Sequence, residues 1–300
     1  MSVAGLPQTG IFSLGNPAHA YLELDRTAGA DPTVLVSAVA DLGEPRTTMG
    51  GVNLVTGFRP ELWAAAAPGR AVPGLHGFDA PVVGPDGYTM PGTQHDLVLW
   101  VSGGSYDVVF DAVRAMLAAL EPHATTALEV EGWSYHRDLD LTGFIDGTEN
   151  PPLAAAPGYA LVPGGTPGAG GSVLLLQQWV HDTAAWTALG APRQEEVIGR
   201  TKPDSTELDP QPPHSHVART DQDEYGHIFR RNTAYGNVRD HGTMFVGFCA
   251  AQRPLAAMLE SMAGLDGGRD ALTYYTRPLT GGYYFVPSLA DLAAFGSVAE

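Results

Sequence analysis

The sequence predicts an α+β protein made of two similar βαββαβ halves with antiparallel sheets. Three observations carry this. Apolar alternation and helical apolar stripes follow one another as β-α-β-β-α-β over the first 140 residues. A looser version of the same order follows. His95-Asp96-Leu97-Val98-Leu99-Trp100 and His241-Gly242-Thr243-Met244-Phe245-Val246 then hold similar places, 146 residues apart from position 95 to position 241, each ahead of an amphipathic helix. The expected halves are residues 1–140 and 141–300, with 141–171 as a connector.

In the first half, Tyr21-Leu22-Glu23-Leu24 alternates like a strand. Asp31-Pro32 opens a helix in which Val34, Leu35, Ala38, Val39 and Leu42 keep helical spacing. Val52-Asn53-Leu54-Val55 is a short apolar strand, and a Pro/Gly-rich stretch runs from about Pro60 to Gly92. Asp96 to Val101 is a buried strand. Asp107 to Leu120 sets Val109, Val113, Met116, Leu117 and Leu120 on one helical face. Leu128-Glu129-Val130-Glu131 alternates again. This order is the split βαβ, ferredoxin-like pattern.

In the second half, Val173 to Trp179 reads as a strand, and Thr183 to Leu189 and Arg193 to Ile198 as short helices. Ile228-Phe229 starts a strand and Thr243 to Phe248 is a buried one. Pro254 is placed as the first helical residue before Leu255, Met258, Leu259 and Met262, with Gly264 ending that helix. Tyr283-Tyr284-Phe285-Val286 closes the set. Pro151 to Gly171, rich in Pro, Gly and Ala, joins the halves.

Composition narrows the function. Apolar residues make up 44% of the 300, enough for a sizeable core. Sixteen basic against 33 acidic residues give a net charge of −17, which repels phosphate backbones and anionic lipid, so neither nucleic acid nor membrane is an expected partner. Charged residues are only 16% of the chain, and the neutral surface this implies permits an oligomer without showing one; a homo-oligomer is the expected assembly. Cys249 is the single cysteine, which excludes an internal disulfide and a Cys-based metal cluster. Met1 to Pro7 lacks the basic and apolar regions of a signal peptide, and no stretch approaches the ~20 apolar residues of a membrane span. The expected location is the cytoplasm. No long tail follows the last motif before Ala299-Glu300, so an encapsulating shell stays open as a partner without a residue to support it.

Three segments can carry chemistry. Gly143-Phe144-Ile145-Asp146-Gly147-Thr148-Glu149-Asn150-Pro151 can project the Asp146 carboxylate from a tight turn beside the core, although Asp-Gly is also an ordinary turn signal. His214-Ser215-His216 would present both imidazoles on one face of a strand, as ligands for zinc, copper or iron, haem iron included. Pro210, Pro212 and Pro213 just before it equally fit a surface loop. Arg230-Arg231-Asn232 is either a pair of solvated cations or a fixed positive charge beside a buried Asp. A GxxxxGK[ST] loop and a GxSxG elbow are both missing, and Gly164-Gly165-Thr166-Pro167-Gly168 has no helix after it to make a nucleotide site.

Together these residues resemble the dye-decolorizing peroxidases, in their compact bacterial cytoplasmic type. The likeness covers nearly the whole chain and is strongest from Gly132 to Leu292. It rests on Asp138 to Pro151, which resembles the family's GxxDG signature with its flanks, on Gly199 to Leu208, on Ser215-His216-Val217-Ala218-Arg219, and on Gly281 to Ser288. The resemblance implies haem b, iron protoporphyrin IX, in the C-terminal half. It implies His216 as the proximal iron ligand, with His214 as competitor. Asp146, Arg230 and Asn232 are the implied distal catalytic residues, with Arg231 as the alternative arginine. Gly147, Thr148, Arg200, Arg230 and Asp270 join His216 as implied cofactor-binding residues. Asp270 would accept a hydrogen bond from the proximal histidine, or else serve as a helix N-cap. Arg200 and Lys202 would meet haem propionates, or else form surface salt bridges.

The implied activity is reduction of hydrogen peroxide through an oxoferryl intermediate, with oxidation of small aromatic electron donors of phenolic or dye type. An aspartate ordinarily titrates near ~3.9 and a histidine near ~6.5, so a carboxylate proton shuttle predicts an acidic optimum. Two other classes stay open on sequence alone. One is a haem carrier or iron-releasing protein that keeps His216 without needing the distal pair. The other is a non-haem metalloenzyme using His214, His216 and a carboxylate.

Overall fold

The computed structural model describes residues 5–43 and 51–297. The readings made at Met1 to Pro7 and at Ala299-Glu300 fall partly or wholly on residues 1–4 and 298–300, outside that range.

The first half contains β1 (Ala18–Arg26), α1 (Pro32–Ala40), β2 (Val52–Phe58), α2 (Pro60–Ala66), the small hairpin β3 (Val82–Val83) and β4 (Thr89–Met90), β5 (Leu97–Gly103), α3 (Tyr106–Leu120) and β6 (Ala124–Trp133). Its main strands lie in the order β2-β5-β1-β6, all antiparallel, which is the ferredoxin-like order. Local signals set the ends of these elements. Asp31 caps α1 by accepting the Thr33 N–H at 2.8 Å, and Pro32 takes the first helical position, where a missing N–H costs nothing.

The second half contains α4 (Ala156–Ala160), β7 (Ser172–His181), α5 (Thr183–Ala188), α6 (Ala191–Ile198), α7 (His216–Arg219), α8 (Gln222–Tyr225), β8 (Phe229–Arg230), β9 (Thr233–Gly236), β10 (His241–Cys249), α9 (Gln252–Met262), β11 (Thr276–Pro278), β12 (Gly282–Val286) and α10 (Leu289–Ala293). Here β12, β7 and β10 lie side by side, and the remaining place beside β10 is shared by β8 and β9. The topology repeats that of the first half. His95 precedes β5 and His241 opens β10, and each of these is the third main strand of its half, so the offset seen in sequence marks equivalent positions.

The two sheets join edge to edge. β12 meets β2 and β6 meets β9, while β7 pairs with β10, so the strands close into a ring β7-β12-β2-β5-β1-β6-β9-β10. Strand alternation then gives each residue an inner or an outer face. The inner face is one core shared by both halves, with Tyr21, Val98, Trp100, Leu174, Leu176, Met244, Val246, Phe248 and Tyr284. The outer face of the first half carries Leu22, Leu24, Phe58, Leu97 and Leu99 under Leu35, Val36, Trp63, Val109 and Val113 of the helices. On the outer face of the second half, Val173, Leu175 and Trp179 lie under Leu255, Met258, Leu259 and Met262 of α9.

Several expectations are corrected. The Pro/Gly-rich stretch holds a helix, α2, because Pro60 starts it and Leu62 and Trp63 bury on the core. The connector likewise holds α4, anchored by buried Ala156 and Ala160. Pro254 is the third residue of α9 and not its first, since the helix begins at Gln252. Gly264 does follow its end, at φ +82, where a side chain would be strained.

Candidate active site

α9 stands away from the outer face of the second half and leaves a cleft. It encloses about 1230 Å³ of atom-free space, the open mouth included. One part of its wall is apolar, with Leu175, Phe245, Leu255, Met258, Leu259 and Met262, and another gathers His216, Asp146, Arg230, Asn232 and Arg200.

His216 lies at the start of α7, whose N-cap is Ser215, accepting the Ala218 N–H at 3.3 Å. The expectation that His214 and His216 share a strand face is thus corrected: the pair straddles a helix start, where residues two apart diverge. His216 lines the cleft. His214 is exposed, its ring packed on Gly268, and does not line it. Arg219, one turn after His216, is buried and ties α7 to the end of α9 through the Ser261 carbonyl and Asp266.

Asp270 is fully buried and meets His216, with Oδ2 at 2.7 Å from Nδ1. Its other oxygen, Oδ1, accepts the Leu272 N–H at 2.8 Å as an N-cap. Asp270 thus meets His216 through one oxygen and caps the following turn through the other. A carboxylate only accepts, so Nδ1 of His216 carries the proton and Nε2 keeps its lone pair free for a metal. Asp270 does not itself line the cleft.

Asp146 stands on a turn closed by its own N–H to the Asp138 carbonyl at 2.7 Å, and it lines the cleft. It is both turn residue and cleft residue. Asn232 donates from Nδ2 to Asp146 Oδ1 at 3.3 Å, and its Oδ1 accepts the Val246 N–H at 3.1 Å. Strand alternation separates the two arginines. Arg230 lines the cleft, whereas Arg231 points into the inner core, donates to the carbonyls of Ile11 and Ser13, and lies 5.2 Å from the Trp100 ring. The alternative of Arg231 as distal arginine is thereby set aside. Burial pulls the Arg231 guanidinium down to about 10.

Of the other predicted binding residues, Thr148 and Arg200 line the cleft and Gly147 does not. Gly147 serves the turn, at φ +77. Arg200 pairs with Glu149 and with Glu207 at 2.5 Å, and still reaches the cleft. Lys202 is corrected: it donates to Gln194 at 2.8 Å, lies over the Phe144 ring and stays off the cleft wall.

Among the cleft residues to which sequence reading assigns no role, Asp140, His181 and Gln177 stand out. Asp140 accepts from the Thr142 N–H at 2.7 Å, and burial, followed by the Asp146 charge, pushes its carboxyl up to about 6. Its Asp-x-Thr pattern signals a local turn but not the cleft. His181, at the end of β7, sits 3.1 Å from Thr243 Oγ1, and burial with nearby His241 lowers it to about 4. Gln177 is the third. Three buried donors on the cleft wall lack a partner: Arg200 Nε, Arg230 Nε and Gln177 Nε2. An unpaired buried donor costs about 1–3 kcal/mol, so the wall is built for an acceptor-bearing guest. An iron porphyrin fits these residues, with an imidazole for the metal, apolar walls for the ring and guanidinium groups for its two carboxylates.

Comparison with known proteins agrees. Residues 137–291 match the family model described as Dyp-type peroxidase, C-terminal. The chain is 33% identical to a dye-decolorizing peroxidase of Mycobacterium tuberculosis, over 96% of this chain and 90% of the relative. It is 32% identical to that of Mycolicibacterium paratuberculosis, over 91% and 81%. Among solved structures, a DypB variant of Rhodococcus jostii RHA1 in complex with heme superposes with a TM-score of 0.86 at 31% identity, covering 97% of this chain and 98% of that one. A putative Dyp-type peroxidase of Shewanella oneidensis gives a TM-score of 0.87 at 27% identity, covering 97% and 99%.

Proposed function

The chain belongs to the dye-decolorizing peroxidase family, and from that premise we propose how its own residues carry out a haem peroxidase reaction. The enzyme is a haem b peroxidase that reduces hydrogen peroxide at the expense of an electron donor. Bound haem supplies the iron that takes peroxide and passes electrons singly. The assignment of roles to residues is our reading.

His216 Nε2 would hold the haem iron. Asp270 fixes the ring and, by accepting from Nδ1–H, makes the imidazole a stronger electron donor. With haem bound, Asp146 would be the group that holds and moves the peroxide proton. Arg230 opposes the negative charge that builds as the O–O bond lengthens. Asn232 orients Asp146 through its 3.3 Å bond. Thr148 and Arg200, which line the cleft, would border the porphyrin, with Arg200 offering its guanidinium to a propionate. We read residues 141–300 as the haem-binding half and 1–140 as its partner, small phenolic or dye-type molecules as donors, a homo-oligomer as the assembly and the cytoplasm as the location. Among the described residues no helix is long and apolar enough to cross a membrane.

The observation that carries this reading is the His216–Asp270 pair on a cleft that also gathers Asp146, Arg230 and Asn232. The non-haem reading finds little support, since among the described residues no three His, Cys, Asp or Glu converge as a metal site. The test is the absorption spectrum of the haem-supplemented protein beside His216→Ala and His214→Ala. A strong Soret band is expected for the wild type and for His214→Ala and not for His216→Ala. A wild type without that band overturns the reading. Turnover of peroxide with a simple phenol then separates a peroxidase from a haem carrier.

A further inference from the structure

Asn150 follows Asp146 by four residues, on the same turn, and does not line the cleft. Its whole side-chain amide is engaged by one residue 80 positions away. Oδ1 accepts the Arg230 N–H at 2.8 Å and Nδ2 donates to the Arg230 carbonyl at 2.9 Å. A primary amide offers one donor and one acceptor side by side, as a peptide does, so this pair reproduces one rung of a sheet. Arg230 needs such a rung. Its strand, β8, ends the strand order and is paired only with β10, which leaves the backbone of its other edge without a strand.

The turn is shaped around this amide. A Cβ on Gly147 would lie 3.0 Å from Asn150 Nδ2, so the glycine beside Asp146 is needed for the clamp as well as for its own φ of +77. Gln222 reinforces the same junction, donating to the Glu149 carbonyl at 3.0 Å and accepting the Ile228 N–H at 3.1 Å. The tie through Asn232 is a single bond of 3.3 Å. The turn bearing Asp146 and the strand bearing Arg230 are thus joined chiefly by borrowed backbone rungs.

We propose that Asn150 is a positioning residue for the distal chemistry, its amide locking the backbone of Arg230 to the Asp146 turn and so setting the spacing of the two groups that act on peroxide. This rests on the peroxidase reading above, so one arm of the test is independent of haem.

That arm is amide hydrogen exchange on the haem-free chain. Asn150→Ala should expose the Arg230 N–H and speed its exchange at least tenfold, leaving β7 unchanged. The second arm mixes haem-loaded protein with peroxide and follows the Soret band. Asn150→Ala should keep the wild-type band intensity, because His216 and Asp270 are untouched, while the peroxide step slows roughly ten- to a hundred-fold, as sub-ångström misplacement of reacting groups does. Asn150→Asp is the conservative variant. As a carboxylate it keeps the acceptor but faces the Arg230 carbonyl without a proton, and once protonated it matches Asn. Its peroxide rate relative to wild type should climb toward one as pH falls from 7 to 4. Glu149, Asp146 and Arg230 surround the new carboxyl and move its midpoint, so the direction of that ratio is the readout.

Unchanged exchange at Arg230 overturns the clamp whether or not haem binds. Faster exchange with an unchanged peroxide rate, loss of the Soret band in Asn150→Ala alone, or a pH-independent ratio for Asn150→Asp overturns the positioning role while leaving the peroxidase reading intact. Should Asn150→Ala not fold, the pH ratio of the Asp variant decides alone.

Discussion

The two outer faces of the strand ring share a topology and differ in how they are filled. On the first half, Ala18, Ala20, Leu22, Leu24, Leu97, Leu99 and Val101 pack against Leu35, Val36, Trp63, Val109 and Val113. On the second, the corresponding strands present Gln177, His181 and Thr243 beside Leu175 and Phe245, with Asn232 in the link between β8 and β9, and a cleft lies above them. Apolar side chains on both surfaces draw helix and sheet together, whereas polar side chains gain nothing from an apolar cover, and the unpaired Nε2 of Gln177 is left for a guest. One face is filled by the protein's own side chains, and the other is the face on which we propose the cofactor is held.

The strongest way to break this comparison is to truncate each face. Leu22→Ala on the filled face should cost about 2–5 kcal/mol, with or without haem, by denaturant unfolding. Met258→Ala removes a side chain that packs on the core and also borders the cleft, and should cost less than Leu22→Ala in the haem-free chain and clearly more once haem packs against it. Equal costs in the haem-free protein would mean that the cleft collapses when empty.

The next effect is set by pH. His19 lies in the inner core, 4% exposed, and burial lowers it to about 4. Above pH ~6.5 the imidazole is neutral in both folded and unfolded chains. Below that, the unfolded chain takes up a proton that the folded one refuses until about pH 4, so stability falls across this window. The loss amounts to about 3 kcal/mol at its limit. His19→Gln should flatten the decline with or without haem. His181 shifts the same way but borders the cleft, so its share should change on haem binding. A decline untouched by either substitution would assign acid loss elsewhere. The acidic activity optimum expected of an Asp146 shuttle thus runs against falling stability, and a flat rate profile between pH 4 and 8 would remove Asp146 from that role.

The smallest expected effect tests the two duties of Asp270. Asp270→Asn retains an oxygen for the Leu272 N–H and loses the charge behind His216, so haem affinity should fall about 10–100-fold with little change in haem-free stability. Asp270→Ala should additionally lower haem-free stability by about 1 kcal/mol through the lost cap. Thermal unfolding and haem titration of both variants check this, and equal behaviour of the two would show that only one duty matters.

Much of this was readable along the chain. The βαββαβ order, the cap at Asp31 and the stop at Gly264 depend on neighbours within a few residues, and such signals survive in one dimension. The motif residues Asp146, His216 and Arg230 were legible through resemblance. Other features were not. Whether Arg230 or Arg231 faces the cleft depends on the phase of a two-residue strand whose edge is closed by Asn150, 80 positions away. Asp140 and Asn150 carry ordinary turn chemistry in sequence, and only the fold makes one a cleft carboxyl and the other a backbone clamp.

Sequence by itself determined the repeated topology, the acidic and neutral surface and the chemical types gathered in the motifs, because periodicity and composition are local sums. The tertiary structure decided which half stays hollow, which arginine is free and how one carboxylate serves both a histidine and a helix end. Those outcomes depend on contacts between residues tens to hundreds of positions apart, where burial and pairing are set by the closed ring of strands and by no short stretch of chain.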